Sequence, residues 1–295
     1  MRIPVLIALT LATRVAVAEE PGPKVYVSVD MEGISGVVSS EQTTADSRDY
    51  QSARKWMVDD VNAVVAGLVA AGAGEIVVND SHGGMRNLLP DDLRPEVTLI
   101  SGTPKPLSMM AAIDASYAAC LFVGYHAGAG STAAVLDHTI SSGTVHSVRV
   151  NGVEMPELGL NAAIAGAFGV PVVMLSGDDV VCDQAHALLG PDVVTVSVKR
   201  ALARQAAKLL PMGEARRRLE EGAREALSRR LRVKPFQPAP PLLFEVAFLT
   251  SGQAEMGELI PGVTRADART LRFTAPEIVS GAKLLRALIG LAAAR

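Results

Sequence analysis

The sequence predicts an α/β fold in which a mostly parallel central sheet is sandwiched by helices and is followed by a C-terminal α+β extension. Two observations support this prediction. Short apolar runs rich in β-branched residues alternate with longer segments of helical periodicity over residues 24–198. In addition, 49% of the 295 residues are hydrophobic, which is enough to form a sizeable buried core.

Each element of the α/β part is predicted from this alternation, in chain order. Strands are expected at residues 24–30, 75–79, 97–101, 119–124, 172–176 and 193–198. Helices are expected at residues 49–71, 157–168 and 178–189, and Gly72 is placed to end the first of them. Two more strands, Thr139–Ser142 and Val145–Val150, are expected to pair, and Asn151-Gly152 is typical of a tight hairpin turn.

The C-terminal part has a different composition. A helix is expected at residues 213–232, where glutamates interleave with arginines, and this pattern favours a solvated face over a nucleic-acid patch. Prolines between residues 235 and 241 mark a stiff connector, after which strands are expected at 242–249 and 270–273 and a helix at 276–294. We therefore divide the chain into an α/β core, residues 19–234, and a C-terminal extension, residues 235–295, that packs on the core.

Charge and cysteine content exclude several classes of function. The chain has 31 acidic and 28 basic residues, so it lacks the positive field that would hold nucleic acid or an anionic membrane. Its two cysteines, Cys120 and Cys182, cannot form a disulfide scaffold or a four-cysteine zinc site. Any metal ion must therefore be held mainly by histidine, aspartate and glutamate.

The first eighteen residues have the features of a signal peptide. A basic start, Met1-Arg2, precedes an apolar run over Ile3–Ala12, and Ala16-Val17-Ala18 matches the small-residue pattern that signal peptidase cleaves, although Arg14 is unusual in such a segment. We predict a periplasmic or secreted protein whose mature chain starts at Glu19, or a cytoplasmic one if this segment is retained. No other apolar run reaches the roughly 20 residues that a membrane span needs.

Polar side chains follow three of the predicted strands. Asp30 and Glu32 come at the end of the first strand, and residues two apart on an extended segment project to the same side. Two such carboxylates repel each other unless a cation lies between them. His82 and His126 follow the second and fourth strands, at the edge where open α/β sheets bind ligands. Carboxylate and imidazole together form the ligand set of hydrolytic zinc sites.

Other candidates have equally good structural explanations. Glu157 starts a helix, where the helix dipole alone favours glutamate. His138 precedes a predicted strand and is a possible further participant in the site. His146 lies within a strand and His186 within a helix, and both are expected to be structural.

Four segments resemble a known family. Ser28-Val-Asp-Met-Glu-Gly33 is similar to the Ser-x-Asp-x-Glu-Gly signature of the zinc-dependent D-aminopeptidases of the DppA type. Asn79-Asp-Ser-His82, Gly124-Tyr-His126 and Glu157-Leu-Gly-Leu-Asn161 resemble later segments of that family, in the same order. The resemblance implies two zinc ions per subunit. It implies these roles: Asp30 bridges both ions, Glu32 and His82 complete one site, His126 and Glu157 complete the other, and His138 is the catalytic base or nucleophile.

The resemblance also implies an activity and an assembly. The expected enzyme is a dizinc aminopeptidase that uses a metal-activated water to hydrolyse short peptides with an N-terminal D-amino acid, such as D-Ala-D-Ala. A homo-oligomeric ring with sites facing an inner channel is expected, with a decamer as the candidate size. The preference for D-residues rests on the resemblance alone. Two alternatives stay open: an exported peptide-binding protein of the same fold that does no chemistry, and a dizinc amidase of other specificity.

Overall fold

The computed structural model describes residues 21–294, and its strands and helices alternate along most of that length. The strands are β1 (Lys24–Val29), β2 (Glu75–Asp80), β3 (Val97–Ile100), β4 (Ala119–Val123), β5 (Val145–Val150), β6 (Val153–Glu154), β7 (Val172–Asp178), β8 (Val194–Ala203), β9 (Ala206–Leu209), β10 (Leu242–Phe248), β11 (Thr264–Arg265) and β12 (Thr270–Ala275). The helices are α1 (Ser40–Thr43), α2 (Tyr50–Ala70), α3 (Glu157–Ala167), α4 (Asp179–Leu189), α5 (Met212–Ser228), α6 (Ser251–Glu258) and α7 (Ile278–Ala293).

A seven-stranded sheet in the order β3-β2-β1-β4-β7-β8-β9 forms the centre of the molecule. All neighbouring strands in it run parallel except β8 and β9, which form an antiparallel pair at one edge. Parallel neighbours end on the same side of a sheet, so the carboxyl ends of β2, β1 and β4 lie next to one another. The prediction of a mostly parallel α/β fold is confirmed.

Side-chain alternation along β1 explains why both faces of the sheet are covered. Val25, Val27 and Val29 project into the core that the sheet forms with α2 and α5. Tyr26 projects to the opposite face, into the core formed with α3, α4 and the C-terminal elements. All four side chains are fully buried, which explains why the segment is an apolar run without a polar face.

A second sheet, in the order β11-β12-β10-β5-β6, covers the second face. It is antiparallel, and β10 pairs with β12 on one side and with β5 on the other. Strands from the C-terminal segment therefore share a sheet with residues 145–154 of the chain's middle. The predicted domain boundary between residues 234 and 235 stays a prediction, but this sheet and α7 show how the last segment packs on the rest.

The structure corrects one predicted pairing. The segment Thr139–Ser142 is not a strand, because it bends and the backbone N–H of Ile140 binds a buried carboxylate instead of a neighbouring strand. The hairpin partner of β5 is β6, and Asn151 and Gly152 form the turn between them with φ angles of +52° and +78°. The two-residue turn was thus predicted in the right place, but on the wrong pair of strands.

The predicted signal peptide, residues 1–18, lies outside the residues that the structure describes. Over residues 21–294, no helix is both long and apolar enough to cross a membrane.

Candidate metal centre

Three of the predicted ligands leave adjacent strands at the same edge of the central sheet. Asp30 directly follows β1, while His82 and His126 lie in the loops after β2 and β4. Because β1 is hydrogen-bonded to both β2 and β4, their carboxyl ends bring these side chains together. These side chains therefore lie at the edge of the sheet that the sequence predicted for the site.

Two glycines allow the loops after β1 and β4 to touch. The backbone N–H of Gly33 donates to the carbonyl of Gly124 at 2.8 Å, and a Cβ at Gly33 would lie 2.0 Å from the carbonyl oxygen of Tyr125. Gly124 itself has a φ of +70°, in the left-handed region that favours glycine. This close approach holds Asp30 and Glu32 against the loop that carries His126.

The first cluster consists of Asp30, Glu32 and His82. His82 Nδ1 lies 3.2 Å from Asp30 Oδ1 and 3.1 Å from Glu32 Oε2. Both carboxylates are almost completely buried. Their side chains and that of His82 offer three ligand atoms that all lie within 4.8 Å of one another.

The second cluster consists of His126, His138 and Glu157. His126 Nε2 lies 3.4 Å from Glu157 Oε1, and His138 Nε2 lies 3.5 Å from the same oxygen. The two imidazole rings stack with their centroids 3.9 Å apart. Asp30 connects the clusters, because its Oδ2 is 3.4 Å from His126 Nε2 while its Oδ1 faces His82.

Backbone contacts set the direction of each imidazole lone pair. His82 Nε2 is 2.8 Å from the carbonyl oxygen of Thr43, and His126 Nδ1 and His138 Nδ1 lie within 3.0 Å of the carbonyls of Ala127 and Leu136. A carbonyl only accepts, so in each neutral ring the proton sits on the nitrogen that faces it. The other nitrogen then directs its lone pair towards the carboxylates, as in metal-ligating histidines.

These distances fit zinc. Two ligand atoms about 2.1 Å from one tetrahedral zinc ion are about 3.4 Å apart, close to the nitrogen–oxygen separations in both clusters. Glu32 Oε2 and His126 Nε2 are also buried without a hydrogen-bond partner in the described part of the chain. Buried polar atoms without partners are rare and costly, and a cation in each cluster would satisfy them. Residues that were predicted from separate loops thus form two sets of donors with a shared aspartate.

The pKa values of the side chains in the two clusters reflect the crowding of negative charge there. Burial raises the pKa of Asp30, and the nearby Glu32 carboxylate raises it further. Burial opposes the charged form of His82 and His126, but the carboxylates of Glu32, Asp30 and Glu157 outweigh it and raise both pKa values well above the usual range. The site therefore stabilises positive charge at the points where the two clusters converge.

The remaining histidines lie elsewhere. His186 Nε2 contacts the carbonyl of Val193 at 3.1 Å, and His146 is exposed on β5. Neither belongs to a candidate ligand group within residues 21–294. Cys120 and Cys182 are both buried and free.

A cavity of about 750 Å³ opens over the two clusters. The loop after β3, the start of α3 and the middle of α7 complete its walls. The polar residues that line it and that the sequence did not single out for a role include Lys105, Asn161, Lys283 and Arg286. The position of Lys105 after a strand of the same sheet was an available signal, whereas no local pattern indicates that α7 reaches the site.

Comparisons with known proteins agree with this geometry. A family model described as D-aminopeptidase, peptidase family M55, matches residues 24–287. The curated D-aminopeptidase of Bacillus subtilis (strain 168) is 38% identical over 270 residues, covering 91% of this chain and 97% of that protein. A solved structure described as the zinc-dependent D-aminopeptidase DppA from Bacillus subtilis, a self-compartmentalizing protease, superposes with a TM-score of 0.89 at 36% identity and covers 92% of this chain and 98% of its own.

Proposed function

This chain belongs to the D-aminopeptidase family and is a zinc metallopeptidase, and on that premise we propose that it uses two zinc ions per subunit to release an N-terminal D-amino acid from short peptides. The observation that carries the proposal is the pair of donor clusters that share Asp30. A single zinc ion would leave one of these clusters with its charge unbalanced.

In this proposal Asp30 would serve both ions, Glu32 and His82 would complete one set of ligands, and His126 and Glu157 would complete the other. Zinc supplies Lewis-acid chemistry in such a site, because it polarises a carbonyl group and lowers the pKa of water to about 7. The chain itself holds the ligands in place. The backbone N–H of Ile140 donates to Glu157 Oε1 at 2.6 Å, and the Asp30 backbone N–H donates to the Val123 carbonyl at 2.8 Å.

His138 is assigned as the general acid–base group. Its Nδ1 is held by the carbonyl of Leu136, so its Nε2 is the atom that takes up and releases a proton. The side chain keeps 17% of its exposure and lines the cavity, so a bound peptide can reach it. From there it can deliver a proton to the leaving amine, which must gain one when the peptide bond breaks.

The size and charge of the cavity support a short peptide as the substrate. A volume of about 750 Å³ is typical of a site for a small ligand. Lys105, Lys283 and Arg286 line the wall and supply cations for a peptide's free carboxylate. D-Ala-D-Ala, with both termini free, matches these features in length and charge.

Matched D- and L-dipeptides provide the decisive assay. With zinc-loaded protein we expect turnover of D-Ala-D-Ala and little or none of L-Ala-L-Ala, and a Glu32→Ala variant should lose that activity. Equal turnover of both would favour the alternative of an amidase with another specificity. Binding without turnover of either peptide would favour the peptide-binding alternative.

The proposal extends to assembly and location. The solved relative is described as self-compartmentalizing, and we propose that this chain also forms a ring-shaped homo-oligomer, which light scattering after gel filtration would test. We further propose export through the N-terminal segment. N-terminal sequencing of the exported protein should then begin at or near Glu19, and retention of Met1 would refute export.

A further inference from the structure

Asn161 lies beside the candidate zinc ligands but has no part in the mechanism above. It follows Glu157 by four residues on α3, so its side chain lies one helical turn further along the same face. It is only 6% exposed, yet it lines the cavity. A buried amide at this position needs partners for both its N–H groups and its oxygen.

A chain of hydroxyl groups determines which way this amide points. Ser28 Oγ lies 2.9 Å from the carbonyl of Met109, which can only accept, and 2.8 Å from Ser81 Oγ, whose own proton can go to the carbonyl of Asn79. We place the single proton of Ser28 on the Met109 carbonyl. Tyr125 OH lies 2.8 Å from Ser28 Oγ, and with the Ser28 proton on the Met109 carbonyl the tyrosine hydroxyl is the donor in this contact. The phenol oxygen of Tyr125 is then left as an acceptor for Asn161, whose Nδ2 is 3.0 Å away.

A second contact supports the same orientation. Asn161 Nδ2 also lies 3.2 Å from the thioether Sδ of Met109, which is a weak acceptor. If the amide were reversed, Oδ1 would face the Met109 sulfur and the Tyr125 oxygen, whose proton is used elsewhere. Each contact would then place two hydrogen-bond acceptors against each other. Both contacts of the side chain therefore fix its Nδ2 towards the protein interior.

The amide oxygen is consequently the part of Asn161 that meets the cavity. No residue in the described part of the chain donates a hydrogen bond to Oδ1, and this oxygen is not among the atoms sealed from solvent without a partner. A fixed acceptor in a largely buried residue recognises a ligand by the N–H or O–H that the ligand presents.

We propose that Asn161 Oδ1 accepts a hydrogen bond from the free α-amino group of the substrate's N-terminal residue, an inference that rests on the proposed function. A dipeptide offers only two kinds of N–H donor, the α-amino group and the scissile amide. The scissile nitrogen must gain a proton during cleavage, so a fixed acceptor is useful at the amino terminus. Amine and ammonium both donate, so the contact persists across neutral pH. Asn161 thereby selects for a free N-terminus.

Calorimetry on zinc-loaded protein can test this without turnover. Two ligands differ only in the amino group: D-alanine hydroxamate carries it, and propionohydroxamate lacks it. Asn161→Leu should weaken binding of D-alanine hydroxamate by about 10- to 100-fold, as expected for a lost hydrogen bond to a charged group, and change that of propionohydroxamate less than about 2-fold. Asn161→Asp keeps an acceptor towards the cavity, since Tyr125 can turn its proton to the new carboxylate, and should keep the preference for the amine.

The control is Ile164→Ala, which changes the apolar wall one turn further along α3 and should weaken both ligands to a similar extent. Equal weakening of both ligands by Asn161→Leu, or loss of the amine preference in Asn161→Asp, would overturn the role of Asn161. Failure of the wild-type enzyme to cleave any dipeptide would instead overturn the proposed function, because the calorimetric comparison does not depend on turnover. If Asn161→Leu does not fold, Asn161→Asp alone decides.

Discussion

Asp30 is the residue on which the two-zinc proposal depends most directly, because its two oxygens face different clusters. Oδ1 lies 3.2 Å from His82 Nδ1, and Oδ2 lies 3.4 Å from His126 Nε2. Among the described residues, the Glu32 carboxylate forms an ion pair with His82 and with neither histidine of the other cluster. We expect Asp30→Asn to reduce bound zinc at both positions and Glu32→Gln to leave about one ion per subunit. Metal analysis after exhaustive dialysis measures this, and full zinc content in Asp30→Asn would contradict a shared ligand.

The position of His138 fits the role of a zinc ligand as well as that of a catalytic base, so a substitution is needed to separate the two roles. We expect His138→Gln to lower kcat by about 10²- to 10⁴-fold, the usual contribution of a general acid–base group, with zinc content unchanged. Kinetics and metal analysis on the same preparation provide the measurement. A fall in zinc content parallel to kcat would assign His138 as a third ligand of the His126–Glu157 cluster instead.

Asp60 gives a prediction about stability away from the zinc site. Its Oδ2 accepts from the Ser35 backbone N–H at 2.8 Å, but its Oδ1 has no hydrogen-bond partner within residues 21–294 and Arg216 Nε is 4.0 Å away. Burial raises the pKa of Asp60 to about 6. The folded state therefore binds this proton more tightly than the unfolded state, and stability falls as pH rises from about 4 to about 6.

The size of that loss is about 3 kcal/mol for a shift from an ordinary aspartate pKa to about 6. Asp60→Asn removes the titration. Urea unfolding at several pH values should show the wild type losing about 3 kcal/mol relative to Asp60→Asn between pH 4 and pH 7. Parallel curves for the two proteins would contradict a raised pKa.

At the scale of elements, a lysine on β8 holds the loop that carries Glu32. Lys199 is 1% exposed, and its Nζ donates to the carbonyls of Glu32, Ile34 and Val37 at 2.6, 3.0 and 2.6 Å. All three ammonium protons are thus used on one loop, although burial lowers the pKa of Lys199 to about 8. An apolar replacement would leave the carbonyls of Glu32 and Val37 without a donor among the described residues, whereas the Ile34 carbonyl would keep the backbone N–H of Val37 at 3.1 Å.

We therefore expect Lys199→Met to weaken zinc binding by about 10- to 100-fold, as other residues that support metal ligands do. Competition with a chelator measures the affinity. The control is Lys208→Met, which makes the same change on the exposed strand β9. Unchanged zinc affinity in Lys199→Met would show that the loop holds its shape without this lysine.

Some secondary structure elements were predictable from the sequence and others were not. The buried strands and the polar residues at their ends were predictable because β1, β2 and β4 each contain a short, mostly apolar stretch that stops near the sheet edge. The irregular conformation of residues 139–142 was not predictable, because the Ile140 N–H donates to the side chain of Glu157, which lies 17 residues away in the sequence. Strand β9 was missed since its alanine-rich sequence has no β-branched residue. Helix α6 has a capping box from Thr250 to Gln253 that could have been recognised.

At the scale of the whole molecule, the site is built by two distant parts of the chain. The sheet edge supplies the candidate zinc ligands, and α7, near the C-terminus, supplies Lys283 and Arg286 at the wall of the same cavity. Neither cation forms a hydrogen bond or a close ion pair with another described residue. Unpaired cations facing a ligand cavity indicate that the ligand carries negative charge.

Under the proposal of a short peptide substrate, the peptide's carboxylate would supply that charge, and we expect the double variant Lys283→Ala/Arg286→Ala to raise KM for D-Ala-D-Ala by about 10-fold. One hydrogen-bonded ion pair lost from a partly exposed site accounts for this magnitude. D-Ala-D-Ala amide, which has no carboxylate, should show the same KM in wild type and variant, and Lys208→Ala should affect neither substrate. Equal changes for acid and amide would mean that α7 only shapes the cavity. A change for the acid alone would mean that α7 helps to restrict the enzyme to peptides short enough for the carboxylate to reach it.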